Sequence, residues 1–140
     1  MRVVATQPQT SRLPAAERRE AIVDAALRVF STGSYDAATT ERIAREAGIS
    51  EPILYRHFGS KRELYLSCLD EAWARLRGAF ETAAASFGDA RAIELIGRAG
   101  GTHPLRVLSA NLWMQAVTQA GCDPVIAEHL RTHLREVHDY

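Results

Sequence analysis

The chain has 140 residues, 46% of them hydrophobic, with 17 basic and 17 acidic side chains. This is enough apolar material for a core, and a net charge of zero argues against a general nucleic-acid coat. No run is apolar and long enough to span a bilayer, and residues 1–10 show no signal peptide. Cys68 and Cys122 stand in no metal-like spacing and read as reduced cytoplasmic thiols. Charge is mildly asymmetric. Residues 1–78 carry twelve basic and ten acidic side chains, residues 79–140 five and seven, a balance suited to sequence reading by a small patch.

Residues 1–13 have no hydrophobic period and read as a disordered tail, in which Arg2 and Arg12 are candidates for a minor-groove arm. From Pro14 a helix runs to about Ser31, with Ile22, Ala25, Ala26, Val29 and Phe30 as its inner stripe. Thr32-Gly33-Ser34 ends it, and Tyr35 and Ala38 are expected to pack beneath the next turn. The stretch from Thr39 to Leu64 then organises the chain. Thr39 or Thr40 caps a short helix whose Ile43, Ala44 and Ala47 share one face. Gly48 supplies a left-handed terminator and Ile49 an apolar plug. Ser50 is expected to cap the following helix, with Pro52 in its first turn and Leu54 and Phe58 facing inward.

That second short helix is defined by what it leaves outside. At about 100° per residue, an inward Leu54 and Phe58 send Pro52, Ile53 and Arg56 to solvent, with Glu51, Tyr55 and His57 on the flanks. Such a face suits the floor of a major groove: Ile53 against a thymine methyl, Arg56 to a phosphate or guanine edge, Tyr55 and His57 to the phosphate walls. Ser60-Lys61-Arg62-Glu63 is a capping box, whose N–H groups with Lys61, the one lysine of the chain, suit a phosphate. The expected DNA contacts are thus Thr39, Thr40, Arg42, Ser50, Glu51, Pro52, Ile53, Tyr55, Arg56, His57 and Lys61. The pattern is helix-turn-helix.

GISEPILYRHFGSKREL resembles the signature of the tetracycline-repressor (TetR) family of bacterial transcription regulators, and RREAIVDAALRVFSTGSYDAATTERIAREAG looks like that family's first two helices. The resemblance covers residues 18–69 and fades beyond them. It implies a dimeric, ligand-responsive repressor, cytoplasmic and nucleoid-associated, that reads a palindromic double-stranded operator. Members usually continue past a seventh helix into two that form a four-helix dimer interface, whereas this chain stops at Tyr140. That leaves the homodimer an expectation of the full-length architecture. Ile53 also departs from the small hydroxyl or Ala often found there, which leaves base preference at that position open.

A fourth helix is expected from Lys61 to about Phe87, with Leu69, Trp73, Leu76, Phe80, Ala83 and Phe87 inward. A helix this long would join the reading module to the rest. Helices are expected over 90–99, 104–119 and from Pro124 towards Tyr140, with a loop over 100–102. The whole is all-α: a tail (1–13), a helix-turn-helix domain (14–60) and a partial ligand-binding body (61–140). In the body, Trp73, Phe80, Phe87, Trp113 and Met114 would wall an effector pocket, with His103, Asn111 and Gln115 as polar groups. His129 and His133 share a helix face, yet no third ligand is evident nearby except Glu136, so no metal site is expected. Phosphate loop, nucleophile elbow and paired carboxylates are all absent from the sequence, so neither catalysis nor a cofactor is expected. The rival reading is a helical protein-interaction module that keeps its helix-turn-helix as scaffold.

Overall fold

The computed structural model describes residues 13–98 and 104–138. Residues 1–12 of the expected tail, with Arg2 and Arg12, the 100–102 loop and His103 lie outside the described residues. Among the described residues there are seven helices and no strand: α1 (Ala15–Ser31), α2 (Thr40–Ala47), α3 (Glu51–His57), α4 (Lys61–Phe87), α5 (Asp89–Arg98), α6 (Pro104–Ala120) and α7 (Pro124–His138). The chain forms two compact units, Met1–Tyr65 and Leu66–Tyr140, and α4 contributes residues to both. None of the described helices is long and apolar enough to cross a membrane.

In the first unit, the α1 stripe of Ile22, Ala25, Ala26, Val29 and Phe30 is buried, joined by Val23 and Leu27. Thr32 closes the helix by donating its hydroxyl to the Arg28 and Val29 carbonyls, at 3.0 and 3.1 Å. Tyr35 then stacks on Phe30 (ring centroids 5.9 Å apart) and meets the edge of Tyr65 at 4.9 Å, while Phe30 and Tyr65 pack at 5.0 Å. This three-ring cluster ties the end of α1 to the start of α4. Offset and edge-on ring pairs add about 0.5–1.5 kcal/mol each to plain apolar burial.

Local chemistry sets α2 and α3. The Thr39 Oγ1 accepts from the Arg42 N–H at 3.1 Å, which caps α2, and Ile43, Ala44 and Ala47 are buried. Gly48, at φ 71°, ends the helix: its N–H donates to the Arg45 carbonyl (3.1 Å) and the Ile49 N–H to the Ala44 carbonyl (3.0 Å). That bond pair is the Schellman arrangement, in which glycine takes the left-handed residue without a Cβ clash. Ser50 differs from expectation. Its backbone is extended, as a cap requires, but its side chain makes no capping bond. A cap hydroxyl accepts from the second or third N–H of the helix, and the second residue here is Pro52, which has none. In α3 itself Leu54 is the buried residue, and Phe58 is buried just beyond the helix end.

In the second unit, α4 buries Cys68, Leu69 and Ala72, and Trp73, Leu76, Phe80 and Ala83 are half-buried. The expected inward stripe ends there. Phe87 is 63% exposed, because Gly88 (φ 81°) turns the chain immediately after it. Helices α6 and α7 pack together, with Leu112 and Ala116 of α6 and Ile126 and Leu130 of α7 buried. The Asp123 carboxylate caps α7, accepting from the Val125 N–H at 3.0 Å.

Candidate nucleic-acid interface

The outward side of α3 carries Pro52, Tyr55 and Arg56, all exposed, with Ile53 half-buried beside them. Arg56 makes no hydrogen bond or ion pair among the described residues, so its guanidinium is available for a planar acceptor. The Arg42 side chain on α2 is exposed as well. Thr40 joins the two helices: its Oγ1 donates to Glu51 Oε2 at 3.1 Å and lies 2.9 Å from the Tyr55 hydroxyl. Four expected contact residues are therefore organised before any ligand arrives: Thr39 as the α2 cap, and Thr40, Glu51 and Tyr55 as one polar bridge. Holding Tyr55 by its hydroxyl fixes the tilt of its exposed ring.

His57 and Lys61 are less free than the sequence implies. Half-buried, His57 is held below its usual pKa, first by burial and then by the Arg18 and Arg19 guanidinium groups. The Arg19 side chain donates to the His57 carbonyl at 2.9 Å and stacks over the Phe58 ring at 4.3 Å. It thus bolts α1 to the end of the reading helix, a role for which the sequence offers no signal across 38 residues. The Lys61 Nζ sits 4.3 Å from the Tyr35 ring centre, and burial lowers its pKa against the opposing pull of Asp36. One N–H of the expected box is already satisfied, Glu63 N–H by Ser60 Oγ (3.1 Å), while the Glu63 carboxylate accepts from the Gly59 N–H (2.7 Å), one residue before the box. Half of the expected capping box is therefore present, the Ser60 hydroxyl on the Glu63 N–H, with Glu63 turned to Gly59 in place of Ser60.

Residues 22–68 match the model for "Bacterial regulatory proteins, tetR family". Over these residues the reading module is similar to the TetR family. Over 59 residues it is 51% identical to the HTH-type transcriptional activator FasR of Mycolicibacterium smegmatis, covering 42% of this chain and 27% of that protein. Over 72 residues it is 36% identical to the HTH-type transcriptional repressor KstR of the same species, covering 51% of this chain and 35% of that one. The chain spans about a third or less of the length of these curated relatives. A solved TetR-family regulator from Mesorhizobium loti superposes with a TM-score of 0.70 at 19% identity, over 86% of this chain and 62% of its own, which shows a shared fold.

The helical body brings together only part of the expected pocket. Trp73 and Trp113 meet edge to face at 5.9 Å, and His133 lies 5.8 and 6.0 Å from them. The Trp73 Nε1–H is buried and has no hydrogen-bond partner among the described residues. Phe80 and Gln115 are half-buried. Phe87 and Met114 are corrections, at 63% and 69% exposure, and Asn111 is exposed too. On α6 the buried face is Leu112 and Ala116; at about 100° per residue Met114 points to the opposite side. His133, missing from the expected pocket, enters it from α7. Its other neighbour is equally unforeseen: Asp70 of α4 lies within hydrogen-bond distance of both His129 and His133.

Proposed function

We propose that this chain is a transcriptional regulator that docks α3 in the major groove of double-stranded DNA. The observation that carries this reading is the exposed face of Pro52, Tyr55 and Arg56, tied to α2 through Thr40, within a TetR-family module. Arg56 and Arg42 supply charge-assisted bonds to base edges or phosphates, Ile53 an apolar contact, and Tyr55 and the N-termini of α2 and α3 position the backbone. Repression is the proposed sense, although FasR and KstR carry opposite signs in their names. Two copies about 34 Å apart would read a palindrome, as a homodimer in the cytoplasm at the nucleoid.

The proposed effector is a small molecule with an aromatic or apolar body and an acceptor for the Trp73 Nε1–H, seated against Trp113. It would release DNA only by its differential affinity for two conformations, a coupling of about 1–3 kcal/mol. Because α4 belongs to both units, it is the proposed carrier. The test enriches binding sites from a randomised duplex pool, then titrates the winner with wild type, Tyr55→Ala and Arg56→Ala at several salt concentrations. Both variants should weaken binding by about 1–3 kcal/mol, and Arg56→Ala should flatten the salt slope by about one charge if it meets a phosphate. Unchanged affinity in both variants would refute the docking.

A further inference from the structure

Away from the reading module, one carboxylate and two imidazoles from distant parts of the chain converge on a point. Asp70 Oδ1 on α4 lies 2.6 Å from His129 Nε2 and 2.7 Å from His133 Nε2 on α7. The three atoms fall within 4.8 Å of one another. His129 and His133 reach the same oxygen because residues four apart share a helix face. His133 is held in place: it is 7% exposed and packs against the rings of Trp73 and Trp113. Its other ring nitrogen, Nδ1, faces Glu136 Oε2 at 3.5 Å. Asp70 lies at the surface, which keeps one side of the cluster open to solvent.

We propose that Asp70, His129 and His133 form a binding site for a divalent transition-metal ion of the zinc class. Two imidazoles and one carboxylate favour zinc, cobalt or nickel over magnesium or calcium, which take oxygen ligands. Metal–ligand bonds of about 2.0–2.2 Å at tetrahedral angles space the ligand atoms about 3.3 Å apart, so each nitrogen must withdraw from Oδ1 by well under 1 Å. Half-buried His129 and exposed Asp70 can supply that adjustment. Coordination through Nε2 leaves each neutral imidazole with its proton on Nδ1; in His133 that nitrogen is buried, 3.5 Å from Glu136 Oε2 and without a hydrogen bond. The open side leaves room for a fourth ligand. A bound ion would pin α7 to α4, residues 59 and 63 apart in the chain, whether or not the chain reads DNA.

The test uses the full 140-residue chain stripped with a chelator, with Co²⁺ and Zn²⁺ as probes. One equivalent of Co²⁺ should give the visible absorption of a four- or five-coordinate ion, and Zn²⁺ should displace it and raise the melting temperature. Asp70→Asn, His129→Ala and His133→Gln should each weaken Zn²⁺ binding by at least about 100-fold. Cys122→Ser should bind as wild type. The Asp70 and His129 variants alter surface side chains, so they decide the matter even if His133→Gln fails to fold. Absence of a one-equivalent Co²⁺ or Zn²⁺ complex in wild type, or undiminished binding in Asp70→Asn and His129→Ala, would overturn the proposal.

Discussion

The two faces of α3 should separate stability from recognition. Leu54 is 0% exposed and is the buried residue of a seven-residue helix too short to persist without packing. Cutting it to Ala removes a fully buried isobutyl group and opens a cavity, at a cost of about 2–5 kcal/mol. Against a total stability of about 5–15 kcal/mol that is a large share, so Leu54→Ala should shift the urea midpoint of the DNA-reading unit sharply downward. Arg56→Ala removes an exposed side chain with no partner among the described residues, and should change stability by no more than about 0.5 kcal/mol. Its affinity for an enriched duplex should nonetheless fall by about 1–3 kcal/mol, between five- and 150-fold. Far-UV circular dichroism reports both units, whereas tryptophan fluorescence reports the body alone, since Trp73 and Trp113 both lie in it. Fluorescence anisotropy of labelled duplex gives the affinity. A Leu54→Ala cost under about 1 kcal/mol would refute the inward assignment, and an Arg56→Ala stability loss matching that of Leu54→Ala would refute the outward one.

Three other outcomes follow from single contacts. Gly48→Ala forces a Cβ into a left-handed position and should destabilise the module by about 1–2 kcal/mol, with Gly48→Asn costing less, measured by thermal unfolding. Folding lowers the His57 pKa, so the unfolded chain binds the extra proton between the two values. Its contribution is therefore complete above the unfolded pKa of about 6.5 and shrinks as pH falls below it, and His57→Gln should flatten that part of a urea-midpoint-versus-pH curve. Trp73→Phe removes a buried N–H that lacks a partner, so it should alter stability by less than about 1.5 kcal/mol while weakening any effector that accepts from Nε1. A larger loss in thermal unfolding would mean that the ring contacts with Trp113 and His133, rather than the N–H, set the cost.

The sequence by itself determined the helices and the turns between them. Thr39 as a cap, Gly48 as a left-handed stop, Pro52 in a first turn and the 61–87 span of α4 all follow from rules that act within four or five residues. The α1 stripe was equally legible, because a buried face leaves a 3.6-residue period. Tertiary structure alone decided which side chains meet across helices. Arg19 on the His57 carbonyl, Lys61 over Tyr35 and Asp70 between two histidines join residues 26 to 63 positions apart. It also decided which apolar residues stay outside: Phe87 and Met114 are as hydrophobic as their buried neighbours, and exposure depends on what lies over them. Periodicity reports how a helix divides into faces; packing between helices selects what each face touches, and that selection leaves no spacing in the chain to read.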